Sequence, residues 1–290
     1  MGKVLLGIIA SPRKAGNCEL FIKETYRRLE GNWDLRLMRL TELDIRPCKA
    51  CYRCLFDAMR CPLEDDFLPA MEELARADAV IVSAPAYLLA ANGSLKRFLD
   101  RGLQFYAFID RLWGKPSVAV AIAGIEGMEG CTKLNVESFV KMTMGDLRGS
   151  AVIYGALPGE TLLSPQNRET ASRLARALTE SHEREGDDVP VCPLCGSDTF
   201  RFLPGGGLRC MLCSGSGTYA WNGGALTISI SPGEHPLFLS REDVIRHAEW
   251  LRGMKDRFLE RRKELKETAR EYRAMGTWVG RRPEVREKPS

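Results

Sequence analysis

Between residues 3 and 184 the chain alternates, five times over, a short apolar run with a helical stretch, and that rhythm admits few folds. The runs are VLLGII from Val4, DLRLMRL from Asp34, AVIVS from Ala79, SVAVAIA from Ser117 and AVIY from Ala151. Four of them are free of charge, as strands buried on both faces are, whereas the second alternates polar with apolar like a half-buried edge strand. Helices are expected at about residues 17–30, 67–77, 94–108, 132–147 and 165–184. Alternation of this kind implies right-handed crossovers and a parallel sheet covered on both faces. In a doubly wound sheet of order 2-1-3-4-5, a ligand sits outside the carboxyl ends of the strands where the order reverses. That rule brings together the loops 11–17, 84–93 and 124–130.

The first loop carries a hydroxyl at Ser11, a guanidinium at Arg13, an amine at Lys14, flexibility at Gly16, and Asn17 as a helix N-cap ahead of Glu19-Leu20-Phe21-Ile22. Positive side chains and free N–H groups converge there at a helix N-terminus, which favours an anion such as phosphate. The loop has neither the three glycines of a G-x-G-x-x-G turn nor the G-K-[ST] ending of a P-loop, and an ordinary turn with solvated charges is compatible with it too. The second loop offers Pro85 and Tyr87 as flat apolar surface. The third offers Gly124 and Gly127, where backbone can approach a ring closely. Together they suit a planar heteroaromatic bearing a phosphate.

Composition narrows the setting. At 290 residues and 44% hydrophobic content a real core can form, and no run approaches the roughly 20 apolar residues of a membrane span. The N-terminus opens directly on a strand where a signal peptide would need a basic end and a cleavage site, so a cytoplasmic protein is expected. Ten cysteines then read as free thiols or metal ligands rather than disulfides. The +4 net charge is uneven: residues 241–290 hold 15 Lys and Arg against 10 Asp and Glu, which leaves the first 240 at −1. The body is therefore no basic nucleic-acid binder, and any electrostatic partner would meet the tail.

Eight of the cysteines fall into two sets. Cys48, Cys51, Cys54 and Cys61 are spaced by two, two and six residues, and Glu64-Asp65-Asp66 follow. Two-residue gaps let successive sulfurs face one metal centre; a [4Fe-4S] cluster, zinc, or unliganded thiols all remain open at this spacing. Cys192-x2-Cys195 and Cys210-x2-Cys213, 14 residues apart, resemble a zinc ribbon with structural Zn2+, a rubredoxin-like single iron being the alternative. The ribbon segment Val191 to Trp221 is poor in Lys and Arg, which argues for a protein-contact or stabilising role and against nucleic acid. Cys18 and Cys131 stand apart, read as small buried residues, although a helix start could lower the Cys18 pKa. A linker is expected at 186–190, a strand at 225–231, and a long helix to about Met275 opened by a Ser240–Asp243 capping box. Leu251, Phe258, Leu265 and Tyr272 recur every seven residues on that helix, but their companions are half polar, so it is expected to lie along its own body or a sister subunit. The resulting division is 1–186, 187–236, 237–279 and a disordered 280–290.

Ser11-Pro12-Arg13-Lys14-Ala15-Gly16-Asn17 after a strand, Pro85-Ala86-Tyr87 with Ser94-Leu95-Lys96-Arg97-Phe98-Leu99-Asp100-Arg101, and the cysteine loop closing on Asp65-Asp66 resemble the flavodoxin-like NAD(P)H-dependent FMN reductases, and within them the iron-sulfur flavoproteins, over about residues 1–185. The resemblance implies a flavodoxin-like α/β fold with a five-stranded parallel sheet. It implies that Ser11, Arg13, Lys14, Gly16 and Asn17 hold an FMN phosphate, and that main chain at Pro85, Ala86, Tyr87 and Leu88, with Gly124, meets the isoalloxazine. It further implies a [4Fe-4S] cluster on Cys48, Cys51, Cys54 and Cys61, NAD(P)H as a possible donor, a redox protein or small molecule as acceptor, and a homodimer or tetramer without membrane association. Lys96, Asp100 and Arg101 match the family's helix pattern, with a plain i,i+4 salt bridge between Lys96 and Asp100 as the alternative. No proton-transfer residue is assigned: His182, His235 and His247 fall outside the three loops, and Ser11 has no base beside it. The expected function is a flavin-dependent oxidoreductase; the rival is a non-catalytic flavodoxin-like scaffold whose ribbon and basic helix recruit a protein or nucleic acid.

Overall fold

The computed structural model describes residues 2–56, 60–180, 189–223, 225–277 and 279. Most of the expected 186–190 linker, the tail 280–290 and His182 lie outside the described residues. Five parallel strands form the central sheet: β1 (Lys3–Ile9), β2 (Trp33–Arg39), β3 (Ala79–Tyr87), β4 (Pro116–Ala123) and β5 (Asp146–Tyr154), in the order 2-1-3-4-5. The order is the one the alternation implies; β1, β3 and β4, whose apolar runs carry no charge, lie in the middle, while β5 forms an edge with Asp146 and Arg148 at its start. Leu5, Ile8, Ile81, Val82, Val118 and Val120 are fully buried, because helices cover both faces.

Helices α1 (Asn17–Arg27) and α5 (Pro165–Thr179) cover one face, where Phe21, Ile22 and Leu174 pack on Leu5, Ile81 and Val120. On the other face lie α2 (Phe67–Arg76), α3 (Gly93–Leu99) and α4 (Thr132–Met142). Phe98 is the hub of that side, with its ring centroid 5.1 Å from Phe67, 5.9 Å from Phe105 and 5.5 Å from Phe139.

Several boundaries differ from expectation, the helix expected at 132–147 ending at Met142 among them, and three have a local reason. The third strand does not stop at Ser83 but continues to Tyr87 and folds back through Ala90–Ala91, because Leu88 and Leu89 both adopt left-handed backbone (φ 51° and 64°) and make a two-residue return. The fifth begins at Asp146 rather than Ala151, since a register shift between Ser117 and Val118 lets its polar start join the ladder. The helix expected at 94–108 ends at Leu99, and tighter 3-10 turns carry Gly102–Phe108.

After the α/β body come four antiparallel strands, β6 (Phe200–Leu203), β7 (Gly207–Cys210), β8 (Ser216–Asn222) and β9 (Ala225–Ser231), in the order 9-8-7-6. Lys133 on α4 holds this ribbon through Asp198 at 2.6 Å, while also reaching Glu137 at 3.2 Å. The expected capping box is present: Ser240 N–H donates to Asp243 Oδ2 (3.0 Å) and Asp243 N–H to Ser240 Oγ (3.1 Å), at the start of α6 (Arg241–Arg270). The chain divides into a compact unit up to Ala248, which includes the ribbon, and a second unit from Glu249 that carries the rest of α6, where Arg261 and Glu264 pair at 2.8 Å. No helix of the described residues is long and apolar enough to cross a membrane.

Candidate functional site

The loop after β1 is folded by residues outside it. Arg39, the last residue of β2, donates from Nη1 to the carbonyls of Ser11 (2.8 Å) and Arg13 (3.0 Å) and from Nη2 to Glu19 (2.5 Å). Glu19 in turn accepts the Ala15 N–H at 2.8 Å, at a residue whose φ is 51°. Burial alone would raise the Glu19 pKa, but hydrogen bonds from Lys23, Ala15 and Arg39 outweigh it and hold the carboxyl at about 2. With the loop carbonyls drawn toward Arg39 and the Ala15 N–H toward Glu19, it is the first turn of α1, whose amides the helix cannot satisfy, that is suited to an anion. Ser11 is buried at the base, and Arg13 and Lys14 stand exposed at the rim, Lys14 within 3.8 Å of Glu42. Gly16 is required by crowding, since a Cβ there would lie 3.0 Å from that of Arg13.

Asn17 takes a different part from the one expected. The residue flanking α1 is Gly16, which offers no side-chain cap, and Asn17 is the first helical residue. Its amide instead donates to Gly155 O (2.9 Å) and accepts from Gly159 N–H (2.8 Å) and Thr161 Oγ1 (3.3 Å). Asn17 thus brings in a fourth loop, 155–161, after β5. Nothing about that segment's composition marked it.

The second and third loops interlock. Cys131 N–H donates to Leu89 O at 2.7 Å, and a Cβ at Gly130 (φ 52°) would fall 2.2 Å from the same oxygen. Asn92, which caps α3, donates its N–H to Pro85 O (3.2 Å), and Ser94 Oγ donates to Ala10 O (3.3 Å), tying the second loop to the first. Tyr154 OH donates to Glu129 at 3.0 Å beneath the third loop. The structure therefore brings Ser11, Arg13, Pro85, Ala86, Tyr87, Leu88 and Gly124 to one end of the sheet. Tyr87 is half-exposed and Leu88 wholly exposed, while Gly124 and Gly127 have nothing nearer than 3.6 Å to where a side chain would begin. A flat ligand can lie against such backbone. Lys96 pairs with Asp100, as the simpler alternative has it. His235 and His247 lie outside the loops, hydrogen-bonded to one another (2.6 Å) beside Tyr106 and Phe238.

The first cysteine set lines a single pocket with Tyr52 and Arg101. Ala50 and Tyr52 have positive φ (49° and 58°), and the Ala50 N–H lies 3.4 Å from Cys48 Sγ. Burial, and then the charges of Cys61, Cys48 and Cys51, push the Cys54 thiol up to about 11. At Cys54 ionisation is disfavoured until a cation supplies the missing charge. Arg101 reaches this wall from the end of α3: its Nη2 lies 3.1 Å from Cys61 Sγ and its Nη1 2.6 Å from Asp65. Its Nε is buried without an acceptor, a donor that an anionic centre in the pocket would satisfy.

The second set is closed. All four sulfurs of Cys192, Cys195, Cys210 and Cys213 lie within 4.8 Å of one another, with Cys192–Cys213 at 3.7 Å and Cys195–Cys210 at 3.5 Å. A Zn–S bond of about 2.3 Å gives a tetrahedral S–S edge of about 3.8 Å, so the set fits one metal ion. Each knuckle turns through a left-handed residue after its second cysteine, Gly196 (φ 70°) and Ser214 (φ 63°). Donation from the neighbouring S–H groups, Cys195 first, holds Cys192 far below the usual thiol range. Among the described residues the ribbon set alone is this tight. Of the two remaining cysteines, Cys18 is buried, which lifts its pKa to about 11, and Cys131, the residue flanking the start of α4, is exposed, against expectation.

Comparison with known proteins agrees with this geometry. Residues 4–156, more than half of the chain, match the family model of NADPH-dependent FMN reductase. An iron-sulfur flavoprotein of Archaeoglobus fulgidus is 29% identical over 187 residues, spanning 61% of this chain and 80% of that protein. One from Methanocaldococcus jannaschii is 26% identical over 186 residues and is covered to 95% of its length. Among solved structures, a flavone reductase superposes with a TM-score of 0.66 at 16% identity over 95% of this chain and 99% of its own, so the fold is shared beyond the α/β body. The matched family model, over a fold whose first three loops meet at one end of the sheet, leads to one conclusion: the chain belongs to the NADPH-dependent FMN reductase family.

Proposed function

We propose that this flavin-dependent oxidoreductase passes electrons between FMN and a [4Fe-4S] cluster held by Cys48, Cys51, Cys54 and Cys61, with a structural Zn2+ in the ribbon and NAD(P)H as the electron donor. The observation that carries the reading is the pair of cysteine sets with different spacing. The ribbon sulfurs close around a point that suits one ion. The loop sulfurs line one pocket without closing to that distance, which suits a larger centre whose irons each take one thiolate. The similarity to iron-sulfur flavoproteins supports the same assignment. FMN, when bound, exchanges two electrons as hydride and releases them singly, which is the chemistry a one-electron partner needs.

The residues of this chain do the rest. Ser11, Arg13 and the first turn of α1 bind the phosphate, while Arg39 and Glu19 hold that loop open. Backbone at Pro85 to Leu88 and at Gly124 lies against the flavin ring. Tyr87, Leu88, Ile125 and Met128 are exposed apolar side chains around the same mouth, which supports a homo-oligomer in which a second subunit covers it. The reduced thiols suit a cytoplasmic setting. The acceptor is a redox protein or a small molecule.

An anaerobic reductive titration separates this reading from a plain FMN reductase. Wild type should take up roughly three electrons per chain, two for flavin and one for the cluster. Cys61→Ser should take up about two with FMN still bound. Two electrons in both proteins would defeat the iron-sulfur assignment.

A further inference from the structure

Arg101 is a buried side chain held by several partners. It leaves the C-terminal end of α3, the helix that follows the second flavin loop, and turns inward: its side chain and that of Asp65 are each only 1% exposed. It donates from Nη1 to Asp65 Oδ2 (2.6 Å) and to Arg46 O (3.0 Å), and from Nη2 to Cys61 Sγ (3.1 Å), with its guanidinium 4.5 Å over the Phe67 ring. Asp65 also accepts the N–H groups of Arg46 (2.9 Å) and Phe67 (3.1 Å). One ion pair thereby clamps the start of the cysteine loop at Arg46, its last ligand at Cys61 and the helix behind it. Burying two charges is costly unless each is hydrogen-bonded, and here Asp65 is satisfied while the Arg101 Nε is not.

We propose that Arg101 is a positioning residue that sets the reduction potential of the centre on the cysteine loop, with Asp65 as its counterweight. The inference rests on the iron-sulfur reading above. Reduction adds one electron to a centre already made negative by four thiolates. A buried guanidinium donating to one of those sulfurs favours the reduced form and raises the potential. Asp65 opposes it by offsetting part of the cation's charge. The two residues therefore pull in opposite directions, which a loosened loop would not do.

The test is a redox titration of the full-length protein, purified without oxygen and followed by electron paramagnetic resonance, with iron and acid-labile sulfide measured on each sample. Arg101→Gln should lower the cluster midpoint, Asp65→Asn should raise it, and Arg101→Lys, which keeps the charge, should lie between Arg101→Gln and wild type; the FMN midpoint should stay with wild type in all three. An unchanged midpoint in Arg101→Gln at full iron and sulfide content, or shifts of the same sign in Arg101→Gln and Asp65→Asn, would overturn the proposal. Should Arg101→Gln fail to assemble the cluster, Asp65→Asn decides alone: a raised midpoint supports the proposal and an unchanged or lowered one ends it. Wild-type protein without sulfide would instead defeat the iron-sulfur reading, which is a separate outcome.

Discussion

Arg39 and Glu19 show how much of a binding loop is made by residues that touch no ligand. The loop residues Ser11 to Gly16 were legible because hydroxyl, cations and glycine sit between a strand and a helix. Arg39 was not, since an arginine ending an edge strand looks like any solvated charge until the fold lays it against three loop groups. The Glu19 carboxyl is held at about 2, below its unfolded value, so its contribution to stability is complete above about pH 4.5 and is lost as the pH falls toward 2. Glu19→Gln should lower stability at neutral pH and flatten the acid limb between those values, as read by urea unfolding at a series of pH. A second residue-scale case is the Leu88–Leu89 turn. Left-handed backbone costs a non-glycine residue about 1–2 kcal/mol, and this turn normally takes Asn-Gly. Leu88→Asn with Leu89→Gly should therefore raise the thermal midpoint of the FMN-bound protein, and a fall would mean that the leucines make contacts worth more than the strain.

At the scale of elements, the parallel sheet was readable from the apolar runs because burial on both faces leaves no room for charge. Boundaries were less readable. The continuation of β3 to Tyr87 depends on a turn that its sequence disfavours, and the early start of β5 depends on a register shift opposite Ser117 and Val118. The fourth loop, 155–161, was hidden because it is recruited by one side chain, Asn17, across 138 residues of sequence. Gly130 tests the interlock of the second and third loops. With φ 52° and only 2.2 Å between its would-be Cβ and Leu89 O, Gly130→Ala must push the loops apart. FMN affinity should fall at least tenfold, about 1.4 kcal/mol, by fluorescence titration, with the far-ultraviolet spectrum kept. The ribbon makes the complementary case. Its spacing alone identified it, because two C-x2-C pairs leave few other uses for four thiols in a segment this poor in apolar residues. A strong chelator should remove the proposed Zn2+ and expose the four thiols of Cys192, Cys195, Cys210 and Cys213 to a thiol reagent while the flavin absorbance persists.

Across the whole molecule, the arrangement is a proposed flavin mouth at one end of the sheet and a thiol pocket, joined by α3, which begins at one and delivers Arg101 to the other. Both were legible as separate motifs. Their connection was not, because Arg101, although it closes the stretch that matches the family's helix pattern, gains its meaning from Asp65, 36 residues earlier. The central claim is that two redox groups are built into the compact unit that ends at Ala248. The measurement that tests it most directly is the absorption spectrum of protein purified without oxygen, with iron, acid-labile sulfide and zinc determined on the same sample. Flavin bands with about four irons and four sulfides per chain and one zinc are expected. Flavin without sulfide would contradict the claim and leave an FMN reductase whose loop cysteines serve another purpose.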